Sequence, residues 1–231
     1  MWSQIVEEWP RFATYYNFIF IAKAAGTTVA LSALGCVLGS IIGLVLAVTR
    51  ITTSRWLLPV RVVAIGFTEV FRRVPFLVTL MLCFFAFQST GYDIPLFVMA
   101  AVSVTVIAGA FLSEIIRGGL KSVHQNQWEA AAAMNFSLLE TIRFVVLPQA
   151  WRLVLPPAFG YFVMFIKDTA LASQIGVIEL TYVGKVLNNK GFSAALSFGA
   201  ILVVYFLISY PLARLGALLE VRLASSRHRR P

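Results

Sequence analysis

The chain has 231 residues, 59% hydrophobic and only 13% charged, with a mean hydropathy of +0.84, a balance that excludes a water-soluble globule. A net charge of +9 would suggest nucleic acid in a soluble protein; in a membrane protein its distribution along the chain reports orientation instead. The apolar runs are continuous and long enough for helices that cross a hydrocarbon core of roughly 30 Å, whereas barrel strands alternate over about 10 residues.

Five spans fit the apolar runs, which predicts an all-α integral membrane protein in one transmembrane domain. The first covers about 24–48, after an aromatic approach of Trp2, Trp9, Tyr15 and Tyr16, and is closed by Arg50 and Arg55. The second lies within 57–88, placed at about 70–88, with Arg61, Glu69, Arg72 and Arg73 in the first half of that region and a break at Pro75. The third covers about 96–116 and stops at Arg117. A polar segment, 118–147, then interrupts the membrane pattern. The fourth and fifth spans follow at about 157–177 and 194–215, and a basic tail, 216–231, ends the chain.

Lysine and arginine are retained on the cytoplasmic side of short loops, so their count chooses between the two possible threadings. One side collects Arg50, Arg55, Arg61, Arg72, Arg73, Arg117, Lys121, Arg143, Arg152, Arg214, Arg222, Arg227, Arg229 and Arg230; the other has Arg11, Lys23, Lys185 and Lys190. This predicts an external N-terminus, with segment 118–147 and the tail in the cytoplasm. Lys167 is left inside a span. The N-terminus carries Glu7 and Glu8 in place of the basic region of a secretory signal, so the first span is expected to stay as the insertion signal.

Cys36 and Cys83 lie inside apolar runs and read as small buried residues, with no disulfide framework or zinc site. Gly35, Gly39 and Gly43 recur every four residues and put a groove of small residues on one helix face, where another helix can approach closely.

The polar segment contains two capping boxes. Asn126-Gln-Trp-Glu129 predicts a short Ala-rich helix over Gln127–Met134 that stops at Asn135, a residue that tolerates the left-handed conformation. Ser137-Leu-Leu-Glu140 predicts a second helix over Leu138–Leu147, ended by Pro148. Such an element costs ordering entropy without crossing the membrane. It serves either as a lid on its own bundle or as a docking site for another protein.

Glu129-Ala-Ala, then Asn135 and Val145-Val-Leu-Pro148, resembles the EAA loop of permease subunits of ATP-binding-cassette (ABC) importers. Ser113-Glu-Ile-Ile-Arg-Gly-Gly-Leu-Lys-Ser122, Leu147-Pro-Gln-Ala150, Lys167-Asp-Thr-Ala-Leu171 and Ile175-Gly-Val-Ile-Glu-Leu180 resemble the polar amino acid branch of that family. The resemblance covers residues 20–215. It departs at Asn135, where the family has glycine, and at Arg72-Arg-Val-Pro75, where the family has Arg-Gly-Thr-Pro.

The resemblance implies one half of a pore in the bacterial cytoplasmic membrane. A second permease subunit, identical or paralogous, would pair with it, two ATP-binding-cassette ATPases would bind the EAA helices, and an external binding protein would deliver an amino acid. The residues implied to couple to the ATPase are Gln127, Trp128, Glu129, Ala130, Ala131, Asn135, Leu147 and Pro148. The chain has no Gly-x-x-x-x-Gly-Lys-Ser/Thr loop, so ATP and magnesium are expected on the partner ATPase and this subunit is not expected to be an enzyme.

Charged groups at membrane depth are costly and usually face a partner or a wet cavity. Asp168 shares a helix face with Tyr161, Phe165 and Ala172, so Asp168, Thr169 and Tyr161 are the candidates for the translocation path, with Asp168 suited to a substrate ammonium and Thr169 to its carboxylate. A structural ion pair or a helix-end contact is the competing use of Asp168. Glu69 and Glu114 are expected to pair with Arg72, Arg73 or Arg117, and His124 to be solvated. The alternative function is a stand-alone secondary transporter or channel, for which five spans and one buried acid are thin equipment. A membrane enzyme finds no metal cluster or serine–base pair in the sequence.

Overall fold

The computed structural model describes residues 2–52 and 54–225 and contains ten α-helices. They are α1 (Trp2–Phe12), α2 (Tyr15–Ile51), α3 (Leu58–Arg73), α4 (Phe76–Gln88), α5 (Leu96–Lys121), α6 (Gln125–Ala133), α7 (Leu138–Glu140), α8 (Leu147–Asp168), α9 (Leu180–Asn189) and α10 (Ala194–Ser225). Three single helices are long and apolar enough to cross a membrane: Tyr15–Ile51, Leu96–Lys121 and Ala194–Leu223. Two broken pairs, Arg55–Arg73 with Phe76–Gln88 and Leu138–Ile175 with Leu180–Asn189, bring the number to five. The chain is an all-α membrane protein, as its composition predicts. Arg227, Arg229 and Arg230 of the basic tail lie outside the described residues.

Several helix boundaries differ from expectation, each for a local reason. α2 begins at Tyr15 because nothing between Tyr15 and Lys23 breaks a helix; the Asn17 side-chain amide donates to the Phe12 carbonyl at 3.0 Å and closes the turn from α1. The region around Pro75 is two helices: Val74 is extended (φ −79°, ψ 134°), as a residue before proline prefers, so α3 ends at Arg73 and α4 restarts at Phe76. Pro148, in contrast, does not end a helix. α7 continues through a π-helical turn at Thr141–Val146 into α8, with the Leu147 N–H bonded five residues back to Ile142. The wider turn absorbs the donor that proline lacks, and the Gln149 amide donates to the Val145 carbonyl at 2.8 Å. The span expected over 157–177 therefore belongs to a longer helix that turns 3-10 at Thr169–Ile175 and ends at Gly176 (φ 92°).

The chain divides into two compact units. The first comprises Met1–Gly35, Phe76–Val104 and Val163–Leu212. Here Phe12, Ile21, Ala24, Leu180, Val183, Leu187, Leu196 and Ile201 form one buried cluster, and Leu31, Leu80, Met99, Ala100, Ala172, Ile175 and Val177 another. α1 is tied to this unit by Glu8, which accepts from the Ser193 backbone N–H at 2.8 Å and its hydroxyl at 2.7 Å. Those two donors, the backbone one foremost, hold the Glu8 carboxyl below the usual carboxylate range.

The second unit comprises Cys36–Pro75, Thr105–Phe162 and Ala213–Pro231. In it α2 and α5 approach closely. A Cβ on Gly39 would lie 2.5 Å from the Ala108 Cβ and 3.0 Å from the Gly109 nitrogen, and one on Gly43 would lie 2.9 Å from the Ser113 nitrogen. The glycine groove seen in the sequence is thus filled by backbone, which has no soft end to yield. Gly39→Ala is therefore expected to cost about 1–3 kcal/mol by overpacking, while Gly26→Ala, with nothing within 4 Å of the added carbon, costs nothing. Denaturant unfolding in micelles distinguishes the two; equal stabilities would remove the argument.

Candidate functional site

The segment between the third and fourth spans builds a compact, exposed platform. α6 is capped by His124, whose Nδ1 accepts from the Asn126 N–H at 3.2 Å. The sequence placed this cap at Asn126, two residues later; a histidine nitrogen can do the same work as a side-chain oxygen, and the capping rule for polar residues overlooks it. The C-terminus is a Schellman motif: the Phe136 N–H reaches the Ala131 carbonyl at 3.1 Å, the Asn135 N–H reaches Ala132 at 2.9 Å, and Asn135 is left-handed (φ 58°). Ser137 and Glu140 then form the expected capping box, the Ser137 N–H donating to the Glu140 carboxylate at 2.8 Å.

α6 packs on the π-helical turn. Ala131 is 2% exposed and sits with Val123, Ile142 and Val146 among the buried residues, so it seats the helix and does not reach outward. Gln127 is tied to α8 through the Gln149 amide at 3.2 Å. Trp128 and Leu147 are half-buried. Glu129, Ala130, Asn135 and Pro148 are exposed, beside Met134 and Leu139, which are 67% and 70% exposed. Apolar side chains held open on a capped, rigid base form a surface for a partner.

The expected path residues fall in different places. Tyr161 is buried in the second unit, stacked on Phe111 with ring centroids 5.3 Å apart. In the first unit, Phe165, Thr169 and Ala172 are fully buried, and the Thr169 hydroxyl donates to the Ile166 carbonyl at 2.7 Å. That helix face is core. Asp168 is half-buried and Lys167 exposed at the end of α8.

Two charged centres were only partly visible in the sequence. Glu114 gathers three arginines: Arg50 at 2.9 Å, Arg117, and Arg72 at 3.7 Å. Arg117 and Arg72 were expected partners, but Arg50 read as the end of a span; the contact depends on the α2–α5 approach, which no local pattern encodes. The Arg50 side chain is only 9% exposed. Glu69 pairs with Arg73 one helical turn on, in an exposed contact of small energetic weight. The second centre is Glu179, fully buried, which caps α9 by accepting from the Tyr182 N–H at 2.8 Å and receives the Tyr205 hydroxyl at 2.8 Å. One acid in the apolar stretch Val177–Leu180 was the available signal. Among the described residues no group of acidic, histidine or cysteine side chains could hold a metal.

The chain thus combines membrane-crossing helices with a capped, exposed helix between two of them. The family model for the inner membrane component of binding-protein-dependent transport systems matches residues 39–225, and the chain belongs to that family. It is 35% identical over 224 residues to the glutamine transport system permease protein of Escherichia coli K12, covering 96% of this chain and 97% of that protein. It is 32% identical to the L-cystine transport system permease protein of Bacillus subtilis 168, covering 85% and 83%. A crystal structure of an amino acid ABC transporter with histidines superposes with a TM-score of 0.79 at 28% identity, over 90% of this chain and 95% of that one. The inward-facing MetNI methionine ABC transporter shares the fold, with a TM-score of 0.76 at 20% identity over 91% and 99%.

Two substitutions test the geometry. Glu114→Ala strands the nearly buried Arg50 and is expected to cost about 3–5 kcal/mol of stability, most of it restored when Arg50→Met is added; a loss below about 1 kcal/mol would mean that the cluster is a surface ornament. Asn135→Gly relieves the left-handed residue and is expected to slow amide exchange at Asn135 and Phe136 by up to about fivefold, corresponding to about 1 kcal/mol. Faster exchange would contradict the assignment of that conformation.

Proposed function

We propose that this chain is one half of the pore of an ATP-driven importer that carries amino acids released by an extracytoplasmic binding protein. The observation that carries this reading is α6: a short helix closed at both ends, seated through Ala131 and presenting Glu129 and Ala130 outward. A helix built in this way transmits force without fraying, which is what coupling to an ATPase requires. Gln127, Trp128, Leu147 and Pro148 support it from behind or beside.

In this reading the N-terminus is external and α6 is cytoplasmic, in agreement with the arginine bias of the loops. The protein resides in the bacterial cytoplasmic membrane with a second permease subunit, identical or paralogous, and two ATPase subunits that bind ATP and magnesium. ATP hydrolysis belongs to those subunits. Amino acid cargo is supported by the names of the relatives, of which glutamine and cystine permeases are two. A stand-alone transporter would have no use for α6 as a handle.

Replacing Glu129 with Lys and Ala130 with Trp is expected to release the ATPase during detergent co-purification while membrane insertion and helix content stay unchanged. An ATPase that stays bound at wild-type stoichiometry would contradict the docking role of α6.

A further inference from the structure

The arginine cluster of the second unit carries more positive charge than its acids neutralise. Glu114 accepts from Arg117 Nε at 3.2 Å and from Arg117 Nη2, and from Arg50 Nη1 at 2.9 Å. Both its oxygens are then engaged, and the third arginine, Arg72, stands off at 3.7 Å, beyond hydrogen-bond reach. Glu69, the other acid, is occupied by Arg73 through two hydrogen bonds. Arg50, Arg72, Arg73 and Arg117 thus share only two carboxylates. Excess charge of one sign among membrane-crossing helices is costly unless it faces water or an anion.

Arg72 is fixed by packing and left with open donors. α3 buries Ala64 and Thr68, the Thr68 hydroxyl lying 3.3 Å from that of Ser113 on α5, and Arg72 is one turn further along the same face. Its guanidinium lies over the Phe111 ring, 5.9 Å from the centroid, and that ring is itself stacked on Tyr161. Among the described residues no protein atom accepts a hydrogen bond from Arg72, so a fork of five N–H donors is held in place without a partner. The Arg72 side chain is 34% exposed, so a ligand can reach it from outside. Ile41 and Val45 of α2 and Val70 of α3 are exposed as well, which leaves apolar surface on two of the helices that build the cluster.

We propose that this cluster binds the phosphate of an anionic phospholipid headgroup, with Arg72 making the direct contact and Arg50 and Arg117 supplying charge behind it. A planar guanidinium matches two phosphate oxygens at once, and the phosphate charge offsets the excess. Acyl chains would cover the apolar side chains of α2 and α3, which a soluble anion would leave bare. Arg50 is the next-to-last residue of α2 and Arg117 stands four residues before the end of α5, so the cluster lies near helix ends, at headgroup depth. Basic pockets between membrane helices on the cytoplasmic side hold such headgroups. The choice of leaflet rests on the orientation given above; the site itself does not depend on the importer reading.

The test is native mass spectrometry of the full chain in detergent, titrated with phosphatidylglycerol or with phosphatidylcholine. Wild type is expected to bind phosphatidylglycerol about tenfold tighter than phosphatidylcholine. Arg72→Gln, which leaves the hydrogen bonds of Glu114 intact, is expected to remove that preference with unchanged helix content, and Arg72→Lys to keep part of it. Lys190→Gln, in the first unit, is expected to leave the preference as in wild type. Equal binding of the two lipids by wild type, a comparison that needs no variant, would overturn the assignment. An unchanged preference in Arg72→Gln, or the same loss in Lys190→Gln, would overturn it too. Displacement of phosphatidylglycerol by an equal concentration of glycerol 3-phosphate would make this a site for soluble phosphate and would likewise overturn the lipid assignment. None of these measurements reads transport, so the importer reading stands or falls separately.

Discussion

Peptide groups inside a membrane have no water to bond, so each N–H and C=O must find a partner within the protein. The long helices follow directly from that requirement. The places where the helices are interrupted show how it is met by other means, and they coincide with the sites of interest. At Pro75 the helix stops and restarts. At Pro148 a π-helical turn and the Gln149 amide take up the slack. Between α8 and α9 the broken backbone is held by side chains: the Thr28 hydroxyl accepts from the Leu180 N–H at 3.2 Å, and Glu179 accepts from Tyr182 at 2.8 Å. Irregular backbone at membrane depth is tolerated only where protein or a cavity surrounds it, and here Thr169, Ala172, Ser173 and Ile175 of the 3-10 turn are buried.

The same requirement explains what could be read in the sequence. Apolar runs give the helices because length and hydropathy alone decide whether a segment suits the bilayer. The Schellman end of α6 and the Ser137–Glu140 box were legible because capping is local chemistry over three or four residues. The His124 cap was missed because histidine is an uncommon acceptor at that position. Pro148 was misread as a stop because the rule for proline assumes the ordinary helical bonding pattern, which the π turn evades.

Contacts between distant segments were not legible. Arg50 on Glu114 and Tyr205 on Glu179 join residues 64 and 26 positions apart, and only the packing of backbone into the Gly39 and Gly43 groove brings the first pair together. Thr169 was chosen for its hydroxyl and Tyr161 by helical periodicity, which says which residues share a face and leaves open whether that face meets core or water. The structure turns it to core. What remains at the end of α8 is the Lys167–Asp168 pair, with Lys167 exposed and Asp168 half-buried.

α7, the π turn and α8 form a continuous helical run from Leu138 to Asp168, and α6 packs on its π turn. The most direct measurement is amino acid uptake by proteoliposomes that contain this permease with its ATPase and are supplied with the binding protein. Uptake that requires all three proteins together with ATP and magnesium on the ATPase side is the predicted result. Full-rate uptake by the permease alone, driven by an ion gradient, would contradict it.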